Sequence, residues 1–378
     1  MTCACALGRT NADILANCLA GSLAGMVSLS GDIPGRDIYF GLVPGELPTI
    51  AEPAFDMRTN RLLLHAVQSF RFRAEIDSFL ARYGSSRVAI VLGASNTGID
   101  EAQRNVDRWL DEGAKPSEMQ FSQIELGTPA DYLKRLLGVK GPVYTVSTAC
   151  SSSTKAFAAA RRLIELGIVD AAIVGGVDGR CRFAMNGFHA LGALAQGRCR
   201  PLAEDRDGIN LGEGVALFTL ERVERVERGE KVGVCLAGCG ESSDAYHATA
   251  PDPEGHGAEA AMRAALADAG MTASDIAYLN LHGTGTLAND SMEMKAVGRI
   301  FNLPESAMNS PFDLSGVRPV IESTKSMTGH CLGAAGAIEA AICWLYISSG
   351  HVKGSAMSNS FAFGGSNASV ILAPWEAK

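Results

Sequence analysis

Residues 142–174 read PVYTVSTACSSSTKAFAAARRLIELGIVDAAIV. Pro142–Val146 is an apolar run of strand length. Ser151–Leu166 is alanine-rich, with Phe157, Leu163 and Ile164 on one helical face. Ala171–Val174 is a second apolar run, closed by Asp178 and Gly179. Strand, helix and strand in one stretch form the unit of a parallel sheet, whose doubly covered strands read as continuous apolar runs. Cys150 falls where the first strand turns into the helix.

The same alternation extends in both directions. Arg87–Leu92, Lys231–Ala237, Ile276–Leu281 and Ala368–Leu372 read as strands. Ala258–Ala269, stopped by Gly270, and Leu332–Ser348 read as helices. The expected class is therefore α/β, with mostly parallel sheets. There is an internal echo: VYTVSTAC then SSSTKAFAAA in one half, PVIESTKSMTGH then CLGAAGAIEAA in the other. It suggests two similar units, 1–222 and 223–378, with the charged stretch Glu221–Lys231 as the seam.

Composition narrows the function. With Lys+Arg 33 against Asp+Glu 41 the net charge is −8, which gives no electrostatic footprint for nucleic acid. A chain of 378 residues that is 47% hydrophobic and 20% charged has material for a large core and is too apolar for disorder. Its ten cysteines include no C-x-x-C, so neither a zinc site nor a disulfide framework is read; Cys235 and Cys239 are expected to flank a strand end. Scattered free thiols point to the cytoplasm. Arg9 and Asp13 interrupt any signal-like run, and Glu339 interrupts the longest apolar stretch, so neither a secretory leader nor a membrane span is expected.

Cys150 is singled out among the cysteines because a helix N-terminus stabilises thiolate. His282 (LNLHGTGT) and His330 (STKSMTGHCLGAAG) stand among glycines and threonines at element ends, where sites of α/β folds gather. His65, His189 and His351 lack that setting. A cysteine with distant histidines is an acyl-transfer set. Glu339, on an otherwise apolar helix, needs a partner if buried, and Lys325 or a bound cation would serve. Asn359–Asn367 (NSFAFGGSN) could bring backbone amides to a substrate oxygen. No phosphate-binding or dinucleotide-binding loop is found.

Together, STACSSS, LHGTGT, STKSMTGHCLGAAG, NSFAFGGSNA and RCRPLAEDRDGINLGEGVA (198–216) resemble the β-ketoacyl synthases. These motifs occur in that family's order from about Arg87 onward. The resemblance implies the thiolase-like fold, two similar halves in a five-layer αβαβα sandwich, usually dimeric. It implies that Cys150 takes an acyl chain from the phosphopantetheine arm of acyl carrier protein, with the amides of Cys150 and Phe363 as oxyanion hole. His282 and His330 would then hold the thioester oxygen of malonyl carrier protein while it decarboxylates and attacks. Lys325 and Glu339 would form an ion pair behind the histidines, Thr284 and Thr286 would bind pantetheine, and Phe363 would gate the acyl pocket. No soluble cofactor is implied, but Asn280, Glu339, Ser358 and Asn359 match positions that hold a structural monovalent cation in some members. Arg200 and Arg206 are candidate carrier-protein contacts.

The chain also departs from the family. It begins near the end of the first family strand, is short between Gly350 and Ser358, and has Ala362 where glycine is common. The serines after Cys150 resemble those of polyketide-type synthases. Fatty acid, polyketide and aryl polyene synthesis are all open on this reading, as are a homodimer and a heterodimer with a second ketosynthase-like subunit. The alternative function is a non-catalytic chain-length or scaffold subunit, which the retained Cys150 and both histidines oppose.

Overall fold

The computed structural model describes residues 1–117, 119–222, 233–304 and 318–375. Two five-stranded sheets dominate it. The first runs, in spatial order, Val143–Val146, Val88–Gly93, Ala171–Asp178, Gly214–Glu221, Thr2–Ala4. The second runs Val320–Glu322, Ile276–Asn280, Ser355–Phe361, Ser366–Pro374, Val234–Ser243. Numbered along its own stretch of chain, each sheet has the order 3-2-4-5-1. The first three neighbours are parallel and the last two join antiparallel. Thus the sheets are mixed rather than mostly parallel. In the second sheet a tight connection after Phe361 returns the chain beside its predecessor, which needs no crossover helix.

Alternation along the strands builds the layers. Val88, Ile90, Leu92, Ile173, Val215 and Leu217 face the helices Arg58–Val67, Phe70–Tyr83 and Thr128–Leu137. Their neighbours Ala89, Val91, Val174 and Ala216 turn the other way, onto Ser152–Glu165 and Ala335–Ser348. Those two helices also meet Tyr278, Ala356, Val370 and Leu372 of the second sheet, whose opposite face packs on His256–Ala269 and Leu287–Phe301. The result is helix, sheet, helix, sheet, helix, the expected five layers. The central helices approach closely: a Cβ on Gly336 would come within 1.9 Å of Thr154 Oγ1. Small residues are required at that contact.

Several expectations shift. Helix Ser151–Leu166 is Ser152–Glu165 with Ser151 as N-cap, and Leu332–Ser348 is a 3₁₀ turn, Leu332–Ala334, followed by Ala335–Ser348. Cys235 and Cys239 lie inside the strand Val234–Ser243 rather than at its end, because that strand pairs with Ser366–Pro374 along most of its length. The seam Glu221–Lys231 falls, from residue 223 onward, outside the described residues. The hairpin Met26–Ile33 with Arg36–Gly41 was not read from sequence. It packs with Leu211–Gly212 against Met185. Thr2–Ala4 is a true but short strand, paired with Val215–Leu217. Among the described residues no helix is long and apolar enough to cross a membrane.

Candidate active site

The shared topology explains the internal echo. Cys150 follows the third strand of the first sheet and His330 the third strand of the second, each just before a central helix. His282 follows the neighbouring second strand, Ile276–Asn280. The ends of the adjacent strands Ile276–Asn280 and Val320–Glu322 in the second sheet, and of Val143–Val146 in the first, thus deliver all three to one place. Sγ of Cys150 and a ring nitrogen of each histidine lie within 4.8 Å of one another. His330 Nε2 is 3.0 Å from Cys150 Sγ, and the two imidazoles meet edge to face with centroids 5.3 Å apart.

The turn before Cys150 is strained. Ala149 has φ 50°, a left-handed conformation that a side chain disfavours and that swings Cys150 out of the strand direction. Ser152 Oγ accepts the Thr148 amide at 2.9 Å and locks the turn. Cys150 sits immediately before the N-cap, as read from sequence, yet the expected thiolate stabilisation does not prevail. Burial pushes the thiol up to about 12, against the counter-pull of the Lys325 charge. The resting group is therefore a thiol, able to donate to His330 Nε2.

Both histidines are held neutral. Burial lowers each well below the ordinary imidazole value, and the Lys325 ammonium lowers both further. Lys325 Nζ lies 3.5 Å from His282 Nδ1 and forms a fully buried ion pair with Glu339. Burial nevertheless raises the Glu339 carboxyl to about 7, with Lys325 pulling it back. Backbone bonds fix His330: its N–H donates to Asn210 O at 2.7 Å, and its carbonyl accepts Gly212 N–H at 3.0 Å.

Sequence reading missed several supports. Glu293 accepts the amides of His282 and Gly283, each at 2.8 Å. It lies fully buried, one face of helix Leu287–Phe301 aimed back at the loop preceding it. Its burial raises the carboxyl to about 7. Asp178, likewise buried, accepts amides from Ser95, Asn96 and Gly333 and so ties the segment after His330 to the first sheet. Only the acidic residue type on an apolar face signals either one. Asp244 accepts from Asn367 at 2.6 Å, joining the loop after Val234–Ser243 to the glycine-rich segment.

A cavity of about 350 Å³ opens onto Cys150, His282 and His330, and Thr284, Thr286 and Phe363 line it as expected. Phe188 and Phe361, not foreseen, line it too. Phe188 stacks obliquely on the partly exposed Phe363, with centroids 5.7 Å apart. A larger groove of about 920 Å³ at Phe70, Phe218 and Trp344 includes none of these residues. Of the two arginines, Arg200 is exposed beside Asp205, but Arg206 is tucked in, donating to Ser291 and Ala203 O and lying 3.7 Å from Asp290. His65, His189 and His351 lie elsewhere, against Arg9, Arg36 and Tyr346.

Of the four candidate cation residues, Asn280, Ser358 and the adjoining Asn359 lie close together on the second sheet, and Glu339 is buried on the helix Ala335–Ser348. Asn280 and Ser358 are register partners on adjacent parallel strands. Asn280 Oδ1, Ser358 Oγ and Glu339 Oε2 are buried without a hydrogen-bond partner, which is costly unless something positive completes them. The Asn359 side chain is instead engaged by Ser369 and Glu293.

Comparison with known proteins agrees with this geometry. Residues 58–226 match the family model "Beta-ketoacyl synthase, N-terminal domain", and residues 234–357 match "Beta-ketoacyl synthase, C-terminal domain". Nodulation protein E of Rhizobium meliloti (strain 1021) is 36% identical over 312 residues, 75% of this chain and 74% of that protein. The 3-oxoacyl-[acyl-carrier-protein] synthase 2 of Staphylococcus aureus (strain COL) is 33% identical over 327 residues, 78% and 76% of the two chains. A ketosynthase (ApeO) solved in complex with its chain length factor (ApeC) from Xenorhabdus doucetiae superposes with TM-score 0.87 at 39% identity, covering 99% of this chain and 96% of that one. A thiol set between two neutral imidazoles, on paired sheets of identical strand order, and family matches across both halves lead to one conclusion: this chain belongs to the β-ketoacyl synthases.

Proposed function

We infer that this synthase condenses an acyl group held on Cys150 with malonyl-acyl carrier protein. The carrying observation is the convergence of one thiol and two neutral imidazoles on one cavity of about 350 Å³. Cys150 sulfur attacks the acyl thioester carbon, giving up its proton through the contact with His330, and the pantetheine thiol departs. The amides of Cys150 and Phe363 would receive the oxyanion. Malonyl thioester then enters. Its carboxylate leaves as carbon dioxide, and the electron pair moves onto the thioester oxygen. Two neutral imidazoles suit this step, since they can donate to an oxyanion that forms only during decarboxylation. The carbanion attacks the acyl carbon, Cys150 leaves, and a 3-ketoacyl product two carbons longer results.

Thr284 and Thr286 would hold pantetheine, and Phe363, resting on Phe188, would gate the acyl chain. The three orphaned oxygens of Asn280, Ser358 and Glu339 fit an oxygen-ligated monovalent cation. When bound it would supply structural charge balance behind the histidines, which a higher melting temperature in potassium chloride than in choline chloride would reveal. The pathway reading is fatty acid or polyketide-type synthesis. Two structural relatives, the ApeO complex and "The ishigamide ketosynthase/chain length factor" (25% identity, TM-score 0.84), pair a ketosynthase with a chain length factor. They support a second ketosynthase-like subunit as partner, beside the carrier protein. Ten free cysteines support a reducing, cytoplasmic setting. The scaffold alternative is disfavoured by the intact cluster.

The test is intact-mass detection of an acyl adduct that vanishes in Cys150→Ala. His282→Ala and His330→Ala should still accept acyl groups in part while malonyl decarboxylation collapses. Full condensing activity in either histidine variant would refute that residue's role.

A further inference from the structure

Between the two histidine loops lies a hydrogen-bonded path that the chemistry above does not use. It starts at Asn210, a polar residue between Ile209 and Leu211 that is 3% exposed. Its carbonyl accepts the His330 amide at 2.7 Å, and its Oδ1 accepts the Cys199 amide at 2.7 Å. Its Nδ2 donates to Gly197 O at 3.0 Å, so the whole side chain is satisfied. Cys199, 2% exposed, then donates its thiol to the carbonyl of Thr284 at 3.2 Å. Thr284 lies two residues past His282, lines the cavity, and shares a 2.9 Å hydroxyl contact with Thr286.

We propose that Asn210 and Cys199 form a positioning bridge that fixes the His330 segment against the Thr284 loop and so aims Thr284 into the cavity. The inference rests on the reading of Thr284 as a pantetheine contact. Burial keeps Cys199 protonated, with its thiol pushed up to about 12, so the sulfur is a donor. A carbonyl is the acceptor such a donor needs, whereas a cysteine that merely filled space would need none. Contact is close enough to dictate sequence: a Cβ on Gly285 would stand 2.6 Å from Cys199 Sγ, and Gly285 holds φ +80°. Gly208 N–H donates to Gly285 O at 3.0 Å, clamping the same loop from its other side. His282 itself is held separately by Glu293. Loss of the thiol should therefore loosen Thr284 more than the histidine, weakening substrate binding more than chemistry.

The experiment compares full-length Cys199→Ala, Cys199→Ser and Thr284→Val with the unmodified protein, using malonyl-pantetheine as substrate and carbon dioxide release as readout. Iodoacetamide labelling of Cys150, followed by mass, reports the nucleophile turn independently. Cys199→Ala should raise KM about fivefold, as loss of one neutral hydrogen bond implies, with kcat and Cys150 labelling within about twofold. Cys199→Ser keeps a donor and should recover most of the KM. An unchanged KM in Cys199→Ala, equal impairment of the Ala and Ser variants, or labelling that falls in parallel would each overturn the bridge. If Thr284→Val raises KM while Cys199→Ala does not, the bridge alone is refuted. An unchanged KM in Thr284→Val would overturn the pantetheine contact, and the bridge's purpose with it.

Discussion

Nε2 of His330 lies 3.0 Å from Sγ of Cys150, although 180 positions separate them along the chain. Both groups are buried, and each is pushed toward its uncharged form: the thiol upward to about 12, the imidazole well below its usual value. Desolvation favours the neutral pair over the charge-separated one.

Thiol reactivity should reflect that burial. A group whose value lies near 12 is overwhelmingly protonated through neutral pH, and its thiolate fraction grows about tenfold for each pH unit. Alkylation of Cys150 by iodoacetamide should therefore keep climbing from pH 7 to pH 10. A plateau below pH 9 would show a thiolate already stabilised at rest.

Lys325 and Glu339 are 1% and 2% exposed, and removing one partner strands the other's charge. Lys325→Met should cost about 3–5 kcal/mol in denaturant unfolding. The sign with pH follows from Glu339. Its folded value, about 7, already exceeds the ordinary 4.5, and loss of Lys325 can only raise it. The protonated carboxyl is the tolerated form, so stability is retained at pH 5 and falls as pH rises toward 8. Equal stability at the two pH values would contradict this account. Lys325→Met with Glu339→Leu should recover part of the loss.

Glu293 offers two acceptor oxygens to the amides of His282 and Gly283. Glu293→Gln keeps the volume but turns one acceptor into a donor facing a donor. We expect a loss of about 1–3 kcal/mol in stability and a larger fall in malonyl decarboxylation than in acyl transfer to Cys150. Parallel losses in both half-reactions would argue against a specific hold on His282.

One thiol and two neutral imidazoles within 4.8 Å also form a ligand set for a soft divalent ion. Zinc should inhibit at micromolar concentrations, protect Cys150 from alkylation, and be reversed by chelator. Cobalt should give a sulfur-to-metal charge-transfer absorption that disappears in Cys150→Ala. Zinc inhibition of malonyl decarboxylation that is equally strong in Cys150→Ala would place the ion elsewhere.

Legibility in the sequence followed the physics of each residue. Cys150, His282 and His330 stood out because glycines, threonines and element ends surround them, and that is where parallel strands present side chains. Glu293, Asp178, Phe188 and Asn210 did not. Glu293 and Phe188 sit within ordinary helices, Asp178 ends a strand and Asn210 lies in an irregular stretch, and the importance of each comes from what another part of the chain places beside it. At Cys150 the helix N-terminus is visible in the sequence but the burial that opposes a thiolate is not, because it comes from residues distant along the chain. Arg206 reads as a surface charge until Asp290 and Ser291 are found around it.

The sequence alone determined the alternation of strand and helix, and with it the α/β class, since apolar periodicity is local and follows from which faces must leave water. It also singled out the three side chains that the fold brings together, Cys150, His282 and His330. Only the tertiary structure decided that the sheets are mixed, that both carry the same strand order, and that the central helices touch across Gly336 and Thr154. It alone decided the protonation of the site, because the cost of a charge depends on everything packed around it, and those neighbours come from distant stretches of chain.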